Sequence, residues 1–558
     1  MLRFAPHLAV LVLSAPILCG LLATLLPAFG YFPVLGGTEF SLDAFRMLLS
    51  QPGILRSSLV SLATGLVTTA VSLALVLGFF AAWSDTRFFA RIQHLVSPLL
   101  SIPHAAAAFG FAFMIMPSGW LMRLVSPGLT GITRPPDVLI LNDPFGLAMM
   151  AGLIVKEIPF LFLMTLAAMP QVRAVANQRV ATALGYGRMA GFLLVLGPPL
   201  YRQIRLAVFA VIAYAGSVVD VALILGPTHP APLAVRLVGW MNDPDLTRRF
   251  MASAGAMLQL AISASALVLW LGLERLTAGM GNAMALSGRR RLEDRALRYL
   301  TGAAMTVSAG LVLAGLVVLG IWSVAGYWGF PDALPAGWTL KTWQRSLTAM
   351  GGPLLNTVTL GLFATLGAVA IALACLERET RMDRGATGRA LAILYLPLIV
   401  PQPAFLFGLQ MLFLALGVSG SYGSVVLVHI VFVLPYVFLS LSDPWRAFDR
   451  RFSHCAASLG AGRDRIFWHI RLPMLLRAVL AAAAIGFAVS IGQYLPTLLI
   501  GAGRWPTITT EAVSLASGGD RRVIGVYAFL QMGLPFAGFL IATLVPVLLY
   551  RNRRGMRV

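Results

Sequence analysis

Arg179–Arg202 reads RVATALGYGRMAGFLLVLGPPLYR, and His454–Arg477 reads HCAASLGAGRDRIFWHIRLPMLLR. Aligned without a gap, they share Ala181/Ala456, Leu184/Leu459, Gly185/Gly460, Gly187/Gly462 and Arg188/Arg463. Phe192/Phe467, Pro198/Pro473, Leu200/Leu475 and Arg202/Arg477 match as well. The offset is constant, 460 − 185 = 275, close to half of the 558 residues. A polar segment repeated in register inside an apolar chain points to a duplicated membrane protein with one surface element in each half.

The composition agrees. The chain is 58% hydrophobic and 11% charged, against roughly 25% charged for a soluble domain. Apolar stretches of the length a membrane span needs, about 20 residues, recur throughout. The formal charge of +21 does not indicate nucleic acid, because the basic residues sit between apolar spans, where they set orientation. Lys156 and Lys341 are the only lysines. Neither stands in a Gly-Lys-Ser/Thr sequence, so the chain has no P-loop of its own. Cys19, Cys375 and Cys455 are too dispersed for a disulfide framework or a zinc site. Residues 1–29 read as a retained first helix; a cleaved signal peptide is the alternative.

Spans are expected near 6–28, 55–83, 95–117, 144–169, 204–226 and 251–273, then 301–325, 354–376, 390–416, 424–443, 478–500 and 527–549. The fold class is thus an all-α polytopic membrane protein of about 12 helices, built as two parallel six-helix repeats. Residues 1–273 form the first half, 274–299 a solvated linker and 300–558 the second half. The surface loops at 171–203 and 445–477 each carry a helix–turn–helix. Arginine is concentrated in one set of loops, with Arg87 and Arg91, Arg173 to Arg202, Arg289 to Arg298, Arg378 to Arg389, Arg446 to Arg471, and Arg551 to Arg557. The opposite loops carry acids such as Glu39, Asp43, Asp137, Asp243 and Glu511. The arginine-rich side is read as cytoplasmic, with both repeated stretches and both termini on it.

Two more internal matches support the duplication. Phe40–Phe45 (FSLDAF) resembles Trp338–Trp343 (WTLKTW), and Pro103…Gly110 matches Pro401…Gly408, both at an offset of 298. The difference, 298 − 275 = 23, assigns extra residues to the first half's outer loop, around Ser118–Asp143.

In each repeated stretch Val180, Ala181 and Leu184, or Cys455, Ala456 and Leu459, give a short helix one small, apolar face. Gly185 or Gly460 then stops it in a positive-φ conformation. A second amphipathic segment runs on to Pro198 or Pro473. The expected product is a compact hairpin with small side chains on its outer face, suited to a groove on a partner. An interfacial hairpin lying on the bilayer is the plainer reading, but it requires composition only, not register.

These stretches resemble the coupling loop of binding-protein-dependent ABC importer permeases, whose pattern is Glu-Ala-Ala, three residues, Gly, nine residues, Ile-x-Leu-Pro. The second copy supplies Ala456, Gly460, Ile470, Leu472 and Pro473; the first supplies Ala181, Gly185, Val195 and Pro198, with Gly197 where leucine is usual. Both depart at the opening acid, where Arg179 and His454 stand. Two such halves in one chain resemble the fused permeases of thiamine and iron(III) importers. The resemblance implies a bacterial inner-membrane permease without catalytic residues, cofactor or metal of its own. It also implies two copies of an ATPase subunit docked at the loops, through Ala181, Leu184, Gly185, Gly187 and Pro198 and through Ala456, Leu459, Gly460, Gly462, Ile470 and Pro473. A periplasmic binding protein would deliver a small solute. An ion-gradient-driven secondary transporter is the alternative, and it leaves the paired loops without a purpose.

Polar residues inside spans are candidates for the pathway. They are Asp220, expected mid-span in the fifth helix, Gln493 and Tyr494 at the corresponding place in the eleventh, and the adjacent pair Lys156 and Glu157. Adjacent residues on a helix diverge by about 100°, so Lys156 and Glu157 are expected to find separate partners. His429 and Gln531 read as interhelical hydrogen-bond formers.

Overall fold

The computed structural model describes residues 2–288, 290, 294–383, 385 and 387–551. Arg289, Arg291, Arg384, Arg553, Arg554 and Arg557, counted above for orientation, lie outside them, as does the C-terminus itself. Among the described residues ten helices are long and apolar enough to span a membrane, and two bent pairs bring the number to twelve.

The first half comprises α1 (Ala5–Ala28), α2 (Ile54–Trp83), α3 (Arg87–Val96), α4 (His104–Ile115), α5 (Trp120–Val125) and α6 (Leu147–Ala168). It continues with α7 (Ala174–Ala183), α8 (Gly197–Ser217), α9 (Asp220–Leu225) and α10 (Arg248–Leu286). The second half comprises α11 (Arg295–Val324), α12 (Gly351–Met382), α13 (Gly388–Ile399), α14 (Gln402–Ala415) and α15 (Tyr422–Arg446). Then follow α16 (Arg450–Ser458), α17 (Leu476–Ile491), α18 (Leu495–Gly501) and α19 (Arg521–Leu549).

Four of the expected spans are not continuous. The element expected at 390–416 turns through 87° between α13 and α14. Pro401 stands at the corner and cannot donate the helical hydrogen bond; Pro103 occupies the same place ahead of α4, so the span expected at 95–117 begins only at His104. The span expected at 478–500 breaks at Gly492–Tyr494, and the one at 204–226 breaks at Val218–Val219, 493 − 218 = 275 residues earlier. The expected linker at 274–299 is also helical for much of its length. α10 runs on to Leu286, and Glu274 on it pairs with Arg205 at 2.6 Å.

The first helix of each half packs on the other half as well as on the last helix of its own. α1 lies along α14, and α11 lies along α4. The crossing points are glycines 298 residues apart. A Cβ on Gly110 would stand 2.9 Å from the Gly315 carbonyl carbon, and one on Gly408 would collide with the Gly20 carbonyl. Gly408 N–H also donates to Thr24 Oγ1 at 3.1 Å. Small residues at membrane helix crossings permit this backbone approach.

Candidate functional site

The two repeated stretches fold into the same hairpin. α7 and α16 each end on a glycine with φ +84°, Gly185 and Gly460. Tyr186 N–H donates to Ala181 O at 3.1 Å, and Ala461 N–H to Ala456 O at 3.0 Å. These are the long closing bonds of a Schellman cap, which requires a left-handed residue, usually glycine. Gly187 and Gly462 follow in an extended conformation, then single helical turns at Arg188–Gly191 and Arg463–Ile466. Next comes a π-helical turn in each, Phe192–Leu196 and Phe467–Arg471, again 275 residues apart. π-turns are rare and concentrate at functional sites, so their repetition in register is not a matter of composition.

The outward face differs from the expectation. Ala181 is 0% exposed and Ala456 8%, whereas Leu184 is 53% and Leu459 88% exposed. The alanines face the second limb of the hairpin; a Cβ on Gly191 would meet the Ala181 methyl at 3.1 Å. Small side chains therefore close the hairpin on itself, and larger ones present it: Val180 and Leu184 in one copy, Phe452, Leu459 and Trp468 in the other. Pro198 is exposed, while Ile470 and Pro473 are half-buried, with Pro473 O accepting from the Tyr550 hydroxyl at 2.9 Å.

The hairpins are held by different chemistry. In the second, Glu377 on α12 accepts from Arg381 at 2.7 Å and from the buried Arg471. Arg381 reaches on to Asp464 at 2.7 Å, Arg446 pairs with Glu379 at 3.1 Å, and Arg450 with Asp383 at 2.7 Å. Asp449 caps α16 by accepting the Arg451 N–H at 3.0 Å; the Arg451 guanidinium beside it holds its carboxyl below the usual carboxylate range. In the first, Leu196 stands where Arg471 does (471 − 275) and Phe79 where Glu377 does (377 − 298). Both belong to one apolar cluster with Phe80, Phe89, Phe162 and Phe192. Gly187 N–H donates to Arg290 O at 2.7 Å, so the chain joining the halves also touches this hairpin.

A second polar assembly lies inside the bundle. Lys156 and Glu157 on α6 are each 4% exposed and diverge. Lys156 Nζ donates to Leu99 O and Leu100 O at 3.3 and 3.4 Å; Glu157 Oε1 is 3.1 Å from His104 Nε2. The His104 ring lies 4.7 Å from that of Tyr214 on α8. Asp220 is not mid-helix but the first residue of α9, beyond the break and 7% exposed. Asp220 stands near His104, Tyr214 and Tyr494, and Glu157 near Tyr214 and Tyr436. Tyr436 on α15 and Tyr494 in the α17–α18 break belong to the second half, so both halves contribute. Gln493 stands in the same break, its N–H donating to Ser490 O at 3.2 Å.

The breaks leave carbonyls to be satisfied, because backbone acceptors in lipid need partners within the protein. Gln259 Nε2 donates to Gly216 O at 3.1 Å. Thr509 Oγ1 donates to the equivalent Ile491 O at 2.5 Å and accepts from Gln531 at 2.8 Å. His429 bridges Ser490 and Thr497, on either side of the second break, at 2.7 and 2.9 Å. His104, Tyr214, Tyr436 and Gln259 escape a reading of the sequence. The one signal for His104 is its place after Pro103, at the start of a helix; the tyrosines look like any amphipathic residue in a span.

Paired surface hairpins, interrupted helices and an interior polar assembly shared by two halves define a polytopic membrane transport subunit. Residues 358–553 match the family model described as binding-protein-dependent transport system inner membrane component. The inner membrane ABC transporter permease protein YnjC of Escherichia coli is 30% identical over 553 residues, 98% of this chain and 97% of that protein. The spermidine/putrescine permease PotC of Haemophilus influenzae is 24% identical over 34% of this chain and 74% of its own length. The molybdenum permease ModB of Mycobacterium tuberculosis is 29% identical over 30% of this chain and 67% of its own. The chain belongs to the ABC transporter permeases of the binding-protein-dependent family, and it is a multi-pass inner membrane protein.

Proposed function

We propose that this permease moves a small solute, delivered by a periplasmic binding protein, into the cytoplasm, driven by separate ATPase subunits seated on its two hairpins. Residues 1–273 and 300–558 act as the two permease halves. The observation that carries the reading is the in-register hairpin pair, each with the same glycine cap and π-turn, at places the arginine distribution assigns to the cytoplasm. Leu184 and Gly185–Gly187 in one copy, and Leu459, Gly460–Gly462 and Trp468 in the other, form the ATPase contacts. Ala181, Ala456, Pro198, Ile470 and Pro473 shape them.

ATP binding draws the two ATPase subunits together, and the hairpins move with them. This biases the halves between inward- and outward-facing arrangements, provided the ATPase binds the hairpins differently in the two. The interior assembly of Asp220, Glu157, His104, Tyr214, Tyr436 and Tyr494 lines the route between the halves, with Gln493 beside it and Lys156 bracing it from behind. The named relatives serve solutes as unlike as a polyamine and molybdenum, so the solute is set elsewhere in the system, chiefly in the binding protein. Purification of the chain with its ATPase tests the reading. The ATPase is expected to co-purify, and substitutions at Gly185 and Gly460 to lower uptake; no association together with unaffected uptake contradicts it.

A further inference from the structure

At the end of the bundle opposite the hairpins a cavity of about 290 Å³ opens beside Arg123, Trp322, Tyr327, Trp328 and Arg521, with the paired Asp520 and Arg522 at its edge. α19 fixes which end this is: it starts at Arg521, and Tyr550 just past its other end bonds the second hairpin. Arg123 comes from the stretch around Ser118–Asp143 that has no counterpart in the second half. It crosses to the loop after α11, donating to Gly329 O and Asp332 O, and is 4% exposed. Its guanidinium lies 5.0 Å from the Trp328 ring centre and 5.9 Å from that of Trp322. Arg521 lies 5.5 Å from the same Trp322 ring and donates to Ser118 Oγ at 2.8 Å. The two guanidinium groups thus meet over one ring, with the Asp332 carboxyl near Arg123. Asp520 is taken up by Arg522 at 2.7 Å, and among the described residues Arg521 has no ion pair. Two like charges gathered around one indole favour an anion between them.

The position says which anion. α11 and α19 pack on each other and bear apolar exposed residues along their lengths, Val307, Leu313 and Val317 on one and Phe529, Leu540 and Leu544 on the other. The cavity sits where those stripes end, among Trp322, Trp328 and the 79%-exposed Tyr327. Tryptophan and tyrosine mark the headgroup level of a bilayer. We propose that this pocket seats the phosphate of a phospholipid headgroup, held by Arg521 and Arg123, and that the extra outer segment of the first half serves to bring Arg123 to it.

Native mass spectrometry of the purified full chain with added phosphatidylglycerol tests this. The wild type is expected to retain lipid through delipidating detergent washes, Arg521→Gln to hold it about fivefold more weakly, and Arg521→Lys to keep part of the loss back. Arg248→Gln, away from the cavity and paired with Asp243, is expected to match the wild type. Inorganic phosphate at equal concentration is expected not to displace the lipid. The proposal is overturned if the wild type retains no lipid, if Arg521→Gln retains as much, or if inorganic phosphate displaces the lipid, which would make the pocket a free-anion site.

Discussion

The two hairpins share a backbone but not a foundation. The second stands on a buried ion pair, Arg471–Glu377, extended by Arg381 and Asp464 toward the surface. The first has Leu196 and Phe79 at those positions, inside an aromatic cluster. The same geometry can thus be secured by charge or by packing. The failure modes differ: removing one partner of a buried pair strands a charge, whereas trimming an apolar side chain leaves a cavity. The difference extends to the tips, where Leu459 is more exposed than Leu184, and where Arg290 covers the first turn while no described residue beyond its chain neighbours comes within 4 Å of a Cβ built on Gly460.

The largest effect is expected from Glu377→Ala. It leaves Arg471 buried without its partner and should lower stability by about 3–5 kcal/mol, read as a drop in melting temperature of the purified protein. Importing the first half's solution, Glu377→Phe with Arg471→Leu, should recover most of that loss, since apolar replacements of buried pairs are often neutral or stabilising. A double variant no better than Glu377→Ala would show that the ion pair does more than hold the hairpin.

Gly185→Ala and Gly460→Ala each force a side chain into the left-handed region, at roughly 1–2 kcal/mol. Uptake should fall more for Gly460→Ala, because its tip is the more open and its Ile470-Arg-Leu-Pro473 sequence keeps the family pattern. Equal losses would erase the asymmetry. The smallest effect is expected at the rim: Asp383→Ala breaks a pair with Arg450 whose side chains are 77% and 61% exposed, worth no more than about 1 kcal/mol and vanishing in high salt.

Much of this was legible in the residues, but unevenly. The duplication, the glycine caps and the twelve-element count follow from an offset and a hydropathy pattern, both local properties. The Gly110 and Gly408 crossings are visible only as a matched pair, since nothing local says that α11 and α1 reach across to the other half to meet them. Pro103 and Pro401 announce their corners, whereas Val218–Val219 has neither proline nor glycine, so Asp220 read as a mid-helix residue. The Arg471–Glu377 pair spans 471 − 377 = 94 residues of chain, and no periodicity connects them. That Ala181 and Ala456 face inward is not legible in the sequence, because small residues suit a close contact on either side of a helix.

The central claim is that the hairpin tips are the ATPase seats. It is tested most directly by the amount of ATPase subunit retained on affinity-purified Leu184→Asp and Leu459→Asp variants of the intact transporter. Both should lose ATPase, Leu459→Asp the more, with the permease itself still folded; retention at the wild-type level in both would contradict the account.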